Sequence, residues 1–357
     1  MTQTATPAAT TPPAAPASPE RPVAAADHAL LRRLLARPEI GALVAAVAVY
    51  FFFFTVAPSF RQADSFATVL YQASTMGIMA LAVSLLMIGG EFDLSAGVAV
   101  TSSALTASMF SFQLTTNVWV GVGVALLVSL AVGAINGILL VRTGLPSFLV
   151  TLASFLMLQG LNLAVTKMLT GNVGTDTISD MDGFGQAKQV FAAEIGIGGV
   201  DLKVTVLWWL AFAAVATWVL LRTRYGNWIF AVGGSKESAR AVGVPVTFTK
   251  ITLFMTVGFA AWFVGMHLLF EYNTVQAGEG VGNEFLYIIA AVIGGCLLTG
   301  GYGSAAGAVV GAFIFGMVNQ GIVYANWNPD WFKFFLGVML LVATLVNLWV
   351  RRQATRR

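Results

Sequence analysis

The chain has 357 residues, of which 57% are hydrophobic and only 10% are charged, and its formal net charge is +3. A soluble domain usually contains about 25% charged residues, so this composition excludes a water-soluble protein and predicts an integral membrane protein in a lipid bilayer. One cysteine, Cys296, excludes an intrachain disulfide, and the distant His28 and His267 suggest no metal site.

Residues 1–27 consist largely of Thr, Ala and Pro, with almost no large apolar side chains. Such a composition cannot bury a core, so we predict a disordered tail. The tail lacks the basic start and apolar stretch of a signal peptide, and we expect none. Residues 28–40, which contain LLRRLLARPE, are predicted to be a basic segment beside the membrane.

Residues 41–350 are predicted to form an all-α, polytopic transmembrane domain. The domain contains apolar blocks of roughly 17 to 25 residues, the length that crosses about 30 Å of hydrocarbon, which predicts about ten membrane-spanning helices. Their predicted positions are 41–58, 66–88, 93–112, 117–141, 146–169, 204–221, 251–273, 285–299, 304–324 and 334–350.

The distribution of Lys and Arg predicts the orientation, because cytoplasmic segments of membrane proteins are rich in these residues. Basic residues precede the first block, follow the fourth, lie between the sixth and seventh, and follow the tenth in the basic tail 351–357. All of these positions fall on one side, and the acid-rich segment 170–203 falls on the other. Both termini are therefore predicted to be cytoplasmic.

The stretch GGEFDLSAG, residues 89–97, places two carboxylates between long uncharged blocks. Gly89 and Gly90 weaken a helix, and Asp93 before Leu94-Ser95 is typical of an N-cap, so we predict that Asp93 starts the third span. An acid at the bilayer centre costs about 2.5–3.5 kcal/mol. We therefore place Glu91 at the water-accessible mouth of this break or at the cytoplasmic interface.

A second segment, VIGGCLLTGGYGSAAG at 292–307, resembles MIGGEFDLSAG at 87–97. Each has an apolar run, a Gly-Gly pair, and then a helix of small residues that starts with Ser. Two interrupted spans suggest a duplicated architecture with the solute route between its halves. Tight helix packing is the alternative reason for small residues at these positions.

Residues 222–250 form the longest predicted cytoplasmic loop, and it is basic. Ser235 is a suitable N-cap for a short helix, KESARAV, that ends before Gly243 and Pro245. A short capped helix outside the membrane suits docking into another protein. A plain surface connector is the alternative.

Polar residues on otherwise apolar spans are candidates for a solute route, because a dehydrated hydroxyl group needs hydrogen-bond partners. Hydrogen bonding between helices is the alternative role. The candidates are Gln72, Ser74, Asn136, Gln159, Asn162, Asn319 and Gln320.

The sequence contains no G-x-x-x-x-G-K-[ST] phosphate loop, no zinc-binding His-Glu helix motif and no G-x-S-x-G nucleophile elbow. We therefore expect that this chain is not an enzyme. The spans contain few ionisable residues, and His267, Glu271 and Lys167 lie near span ends, which disfavours coupling to protons.

Together these blocks resemble the membrane-spanning permease subunit of bacterial ABC importers of the ribose/xylose/monosaccharide type, within the superfamily of branched-chain-amino-acid and sugar permeases. GGEFDLSAG is similar to the family's Gly-Gly-x-Asp-Leu-Ser-x-Gly signature, with Glu91-Phe92 in place of one apolar residue. Residues 288–322 and, more loosely, 144–161 resemble two further blocks. The cytoplasmic loop resembles its counterpart at Gly226, Gly233, Gly234, Ser235, Ala239, Arg240 and Gly243, and the signature includes Gly89, Gly90, Asp93 and Ser95.

The resemblance implies a gated conduit for a monosaccharide or similar small polyol in the bacterial inner membrane. The implied partners are a second permease copy, identical or paralogous, ABC ATPase subunits that receive the cytoplasmic helix, and an extracytoplasmic sugar-binding protein. It implies no cofactor on this chain, ATP and Mg²⁺ on the ATPase partner, and no nucleic acid. Two alternatives stay open: a secondary transporter driven by an ion gradient, and a membrane scaffold or receptor that moves no solute.

Overall fold

The computed structural model describes residues 38–115 and 117–355. The predicted tail 1–27 and most of the basic segment 28–40 lie outside the described residues. The described chain is mostly helical, and its one two-stranded hairpin occurs in the long central loop.

In chain order, the elements are α1 (Pro38–Val56), a 3₁₀ turn (Pro58–Arg61), α2 (Ala63–Ile88), α3 (Ala96–Met109), a π-helical turn (Phe110–Leu114), α4 (Val118–Thr143), α5 (Ser147–Thr170), α6 (Phe184–Phe191), β1 (Glu194–Ile197), β2 (Val200–Lys203), α7 (Val204–Arg222), α8 (Arg224–Gly234), α9 (Lys236–Ala241), α10 (Val246–Tyr272), α11 (Asn283–Ile293), α12 (Ala305–Tyr324) and α13 (Trp331–Thr355).

Seven of the described helices, α1, α2, α4, α5, α7, α10 and α12, are long and apolar enough to cross a membrane. This confirms the prediction of an all-α, multi-pass membrane protein. Three predicted spans have another form. The block 93–112 contains the 14-residue α3. The block 285–299 overlaps the 11-residue α11, which begins at Asn283 and ends at Ile293. The last block, 334–350, lies within α13, whose apolar part runs from Trp331 to Leu345.

The helices form a buried centre and an exposed ring. α2 and α10 are mostly buried, whereas α1 and α5 are mostly exposed along their apolar stretches. α3 is buried along nearly its whole length, because its Ala, Ser, Thr and Gly side chains let neighbouring backbones approach closely. One such approach joins α3 to α10, where Ser103 Oγ donates to the Ala261 carbonyl at 3.1 Å.

The hairpin in the loop 171–203 ties the loop to the ends of two long helices. Lys203 lies 2.6 Å from carboxylate oxygens of both Glu194 and Glu271. The hydrogen bond from Lys203 lowers the pKa of the Glu194 carboxyl below its ordinary value. Nearby, buried His267 contacts the Tyr71 hydroxyl at 3.0 Å and the Thr205 hydroxyl at 2.9 Å. These titratable groups therefore bond to one another near the ends of α7 and α10.

Candidate functional site

The two predicted helix breaks have the same backbone geometry. α2 and α11 each end in a Gly-Gly pair whose second residue is left-handed, with φ +85° at Gly90 and +91° at Gly295. Both ends form the Schellman pattern, which satisfies carbonyls that a helix end leaves free. The bonds are Gly90 N–H to Met87 O (2.9 Å) and Glu91 N–H to Leu86 O (3.2 Å) in α2, and Gly295 N–H to Val292 O (2.9 Å) and Cys296 N–H to Ala291 O (3.0 Å) in α11.

Beyond each break a helix restarts at a serine. Ser304 is the N-cap of α12, and its hydroxyl accepts from the Gly307 N–H at 2.9 Å. Ser95 occupies the N-cap position of α3 without a side-chain capping bond. The similarity of 87–97 and 292–307 in sequence thus corresponds to the same sequence of events in the backbone: helix end, turn and restart.

The breaks meet the loop 222–250, which is predicted to be cytoplasmic and keeps the name cytoplasmic loop below, at a cluster of four glycines. We call this cluster, Gly90, Gly233, Gly300 and Gly301, the glycine junction. The Gly301 N–H donates to the Ile88 carbonyl at 2.8 Å. A Cβ added at Gly233 would lie 1.8 Å from Ile88 O and 2.7 Å from Gly301 N. A Cβ at Gly300 would lie 2.6 Å from Gly90 Cα. Backbone therefore packs directly on backbone where three distant segments converge.

The cytoplasmic loop forms two capped helices. Thr223 caps α8 by accepting from the Gly226 N–H at 3.1 Å. Ser235 caps α9 by accepting from the Ser238 N–H at 3.2 Å, which confirms the predicted N-cap. The backbone then turns at Gly243, where φ is +81°.

α9 has one buried and one exposed side. Ala239 is 3% exposed and packs with Val232 and Val246. Lys236 and Arg240 are exposed, as is most of the rest of this helix. At the start of α8, Gly226 is buried against the end of α7, where a Cβ would lie 2.3 Å from Val219 O. The backbone of Gly234 lies against Gly301, but a Cβ added at Gly234 would meet nothing within 4 Å.

Asp93 holds the turn before α3, and the prediction that it is the N-cap is wrong by two residues. Asp93 is only 3% exposed. Its Oδ1 accepts from the Ser95 N–H at 2.8 Å and from the Ser95 hydroxyl at 2.5 Å. α3 begins at Ala96, so these bonds form an Asx turn rather than a cap.

The network continues from this turn into the neighbouring helices. Asn136 of α4 donates to Ser95 Oγ at 3.1 Å. Ser154 of α5 donates to Asn136 Oδ1 at 2.5 Å. The chain of side chains therefore fixes the restart of α3 against α4 and α5.

Glu91 is paired with Lys250, which corrects the expectation of a carboxylate open to water, while its position at the cytoplasmic interface stays a prediction. Glu91 Oε1 and Lys250 Nζ form an ion pair, and the two side chains are 12% and 10% exposed. Lys250 lies in the second turn of α10 and is the last residue of the segment 222–250. A carboxylate removed from water needs an opposite charge, and Lys250 supplies it. No local pattern in the sequence signals this pairing.

The polar residues predicted to line a solute route fall into two groups. The first group is buried and bonded within the chain: Ser74 Oγ donates to the Tyr71 carbonyl, Asn136 joins the network above, and Asn162 Oδ1 accepts from Ser102 Oγ. The second group is half-buried, and the described residues offer its side chains no hydrogen bond: Gln72, Gln159, Asn319 and Gln320. In the first group Asn136 and Asn162 join neighbouring helices and Ser74 bonds within its own helix, while the second group remains the candidate set.

Most of the chain matches a known protein family. Residues 65–344 match the family model described as branched-chain amino acid transport system / permease component. This range contains both breaks and the whole cytoplasmic loop.

Individual relatives match over most of their length. The chain is 29% identical over 295 residues to the ribose import permease protein RbsC of Escherichia coli K12, covering 82% of this chain and 88% of that protein. It is 29% identical to the fructose import permease protein FrcC of Rhizobium meliloti, covering 83% and 81%. It is also 29% identical to the galactose/methyl galactoside import permease protein MglC of Escherichia coli K12, covering 81% and 88%.

Gly233→Ala is expected to disrupt the glycine junction, because its methyl group would overlap the Ile88 carbonyl and the neighbouring backbone cannot retreat. Overpacking of this kind costs about 1–3 kcal/mol. Gly234→Ala is the matched control, since nothing lies within 4 Å of its Cβ. The melting temperature of the purified protein should fall for Gly233→Ala only. Equal melting temperatures for the two variants would contradict backbone contact at the junction.

Glu91→Gln and Lys250→Met should each destabilise the protein, because each leaves a largely buried charge without its partner. Breaking a buried pair costs about 3–5 kcal/mol, and a double variant leaves no unpaired charge. The double variant Glu91→Gln/Lys250→Met should therefore be more stable than either single variant. Thermal unfolding of all four proteins measures the coupling. Additive effects would show that the two side chains do not interact.

Asp93→Asn should retain most of the stability, because an amide oxygen can still accept from the Ser95 N–H. Asp93→Ala leaves that buried N–H unpaired, which costs about 1–3 kcal/mol. The amount of folded protein in membranes and its melting temperature distinguish the variants. Equal loss in both variants would mean that the negative charge, rather than the hydrogen bonds, holds the turn.

Proposed function

Because the chain belongs to the family of the permease component of branched-chain amino acid transport systems, we propose that it is the pore-forming permease subunit of an ATP-driven ABC importer. Its solute is a monosaccharide or a similar small polyol, as the names of the ribose, fructose and galactose permeases among its relatives suggest. The observation that carries the proposal is the glycine junction, which connects the cytoplasmic loop to both helix breaks.

The junction provides a route for mechanical coupling. α9 presents an exposed face for a partner and is fixed to α8 through Ala239. Gly233 lies in the last turn of α8, and its backbone touches the last carbonyl of α2 and the loop before α12. A displacement of α9 by an ATPase subunit therefore acts on the two places where a helix is interrupted. Interrupted helices are the parts of a membrane protein that can change direction without breaking regular hydrogen bonds.

We propose ten membrane segments, α1–α5, α7 and α10–α13, with both termini in the cytoplasm of a bacterial inner-membrane protein. Contacts between loops support one common outer side. Asn117 bridges to Asp182, and Gly174 bridges to Gln276. The glycine junction and the cytoplasmic loop lie at the other ends of these helices. The basic residues near the ends of α4 and α7 agree with this orientation.

The proposed assembly contains a second permease copy, identical or paralogous, two ABC ATPase subunits and an extracytoplasmic sugar-binding protein. ATP and Mg²⁺ would bind to the ATPase subunits. An ion-driven carrier is the alternative function, but the matched relatives are import permeases. In addition, Lys203 is paired with Glu271, and His267 is hydrogen-bonded to Tyr71, near the proposed outer surface.

We expect the chain to take up D-ribose, D-fructose or D-galactose when it is reconstituted in liposomes with its ABC ATPase and sugar-binding protein and ATP is supplied. A protonophore should leave this uptake unchanged. Arg240→Glu tests the role of α9 in the same assay. Because Arg240 lies on the exposed side of this helix, its replacement should reduce uptake severalfold without loss of folded protein. Uptake that follows a proton gradient without ATP would favour the secondary transporter.

Single cysteines at Asp180 and Lys236, in a Cys296→Ala background, test the orientation. Both positions are exposed. An impermeant thiol reagent applied to spheroplasts should label position 180 directly and position 236 only after permeabilisation. The reverse pattern would overturn the proposed topology.

A further inference from the structure

The segment between α10 and α11, residues 273–282, leaves the outer end of α10 and returns into the helical bundle. Its first part pairs with the loop after α5: the Thr175 N–H donates to Val275 O at 2.9 Å, and the Ala277 N–H donates to Val173 O at 2.8 Å. Its second part reaches α3, where the Thr101 hydroxyl donates to the Glu279 carbonyl.

Glycine makes the contact with α3 close. A Cβ added at Gly280 would lie 2.4 Å from Gly97 O, and a Cβ added at Gly97 would lie 2.4 Å from Gly280 O and from Glu284 Oε2. The segment therefore packs on the first turn of α3 rather than on its outer end.

Helix geometry gives the depth of this contact. Gly97 lies roughly three turns, or about 18 Å, from Met109 at the outer end of α3. A similar distance follows from α10. Gly265 of α10 lies about two turns before the outer end of that helix at Tyr272, and it packs on Val100 of α3. Gly97 lies nearly one turn deeper than Val100 in α3, so its distance from the outer end of α10 is about 15 Å. The hydrocarbon core is about 30 Å thick, so residues 279–282 lie near its middle.

This depth explains why α11 is short. The segment 273–282 crosses the outer half of the membrane without helix, and the 11 residues of α11 span only about 16 Å, the inner half. At the N-terminus of α11, Glu284 is 2% exposed, and its carboxylate accepts a hydrogen bond from the Gly282 N–H at 3.1 Å. This bond satisfies a backbone N–H at the start of the helix.

Irregular backbone at this depth is tolerated only where protein covers it or where it lines a water-filled cavity. The part from Gly278 to Glu279 is exposed, and so is Gln276. A carboxylate facing lipid is strongly unfavourable. The exposed Glu279 side chain is therefore placed against water rather than against lipid.

On the basis of the function proposed above, we propose that residues 276–283 form a re-entrant segment that lines the solute route, where the Glu279 carboxylate binds the hydroxyl groups of a sugar. A carboxylate accepts hydrogen bonds from two adjacent hydroxyls, and such charge-assisted bonds are stronger than neutral ones. The amides of Gln276 and Asn283 add donors and acceptors on either side.

Cysteine accessibility tests the position of the segment without any assumption about transport. Glu279→Cys, in a Cys296→Ala background, should react with a small anionic methanethiosulfonate reagent applied from outside but not with a 5-kDa polyethylene glycol maleimide. Ser179→Cys in the outer loop should react with both, and Leu156→Cys on the exposed apolar face of α5 with neither. Position 279 behaving like 156 would exclude a water-filled route, and position 279 behaving like 179 would place the segment on the surface.

Uptake tests the role of the carboxylate. In the reconstituted complex, Glu279→Gln should raise the half-saturating concentration of the transported sugar, tested with D-ribose, D-fructose and D-galactose, by about tenfold, one lost charge-assisted bond. The amount of folded protein should not change. Glu194→Gln, an acid of the outer hairpin, should transport normally. Normal half-saturation in Glu279→Gln and Glu279→Ala would overturn the role in binding. If the wild-type complex moves none of these sugars, the proposed function fails, and the cysteine result still decides whether the segment lines a water-filled route.

Discussion

Every backbone N–H and C=O group inside the hydrocarbon must find a partner within the protein, and this constraint determines where the helices of this chain can be interrupted. α2 and α11 end inside the bundle, and both close their last turns with the same Schellman bonds around Gly90 and Gly295. Glycine permits the left-handed residue that these bonds require. Because the glycines of the junction have no side chains, the two broken regions and the cytoplasmic loop can pack backbone against backbone.

The buried polar side chains are concentrated around the first break. Asp93 and Ser95 order the turn, and Asn136 continues their network towards α5. Glu91 and Lys250 pair beside it. A break removes regular backbone bonds, and the side chains around it replace those bonds. The same residues connect the break to α4, α5 and α10, so a change of the break's shape would involve all three helices.

Helix breaks and helix caps are easier to predict from this sequence than the hydrogen-bond and charge partners of single residues. Ser235 was found because a cap is a local pattern within four residues. The capping role of Asp93 was placed two residues early, since an Asx turn and a cap use the same residue types at nearly the same spacing. The Glu91–Lys250 pair joins residues 159 positions apart, and no local pattern specifies such a contact.

By itself, the sequence determined that the chain is a helical, multi-pass membrane protein. It also determined where most helices begin and end and which segments are interrupted. These features depend on hydropathy, charge asymmetry and glycine pairs, which are patterns within a few helical turns of the chain. Only the tertiary structure decided that Gly90, Gly233 and Gly301 meet, that Asn136 and Asn162 serve helix packing, and that the segment before α11 returns to the first turn of α3. These facts depend on how close distant backbones can approach, and that distance is set by the packing of the whole bundle rather than by any local run of residues.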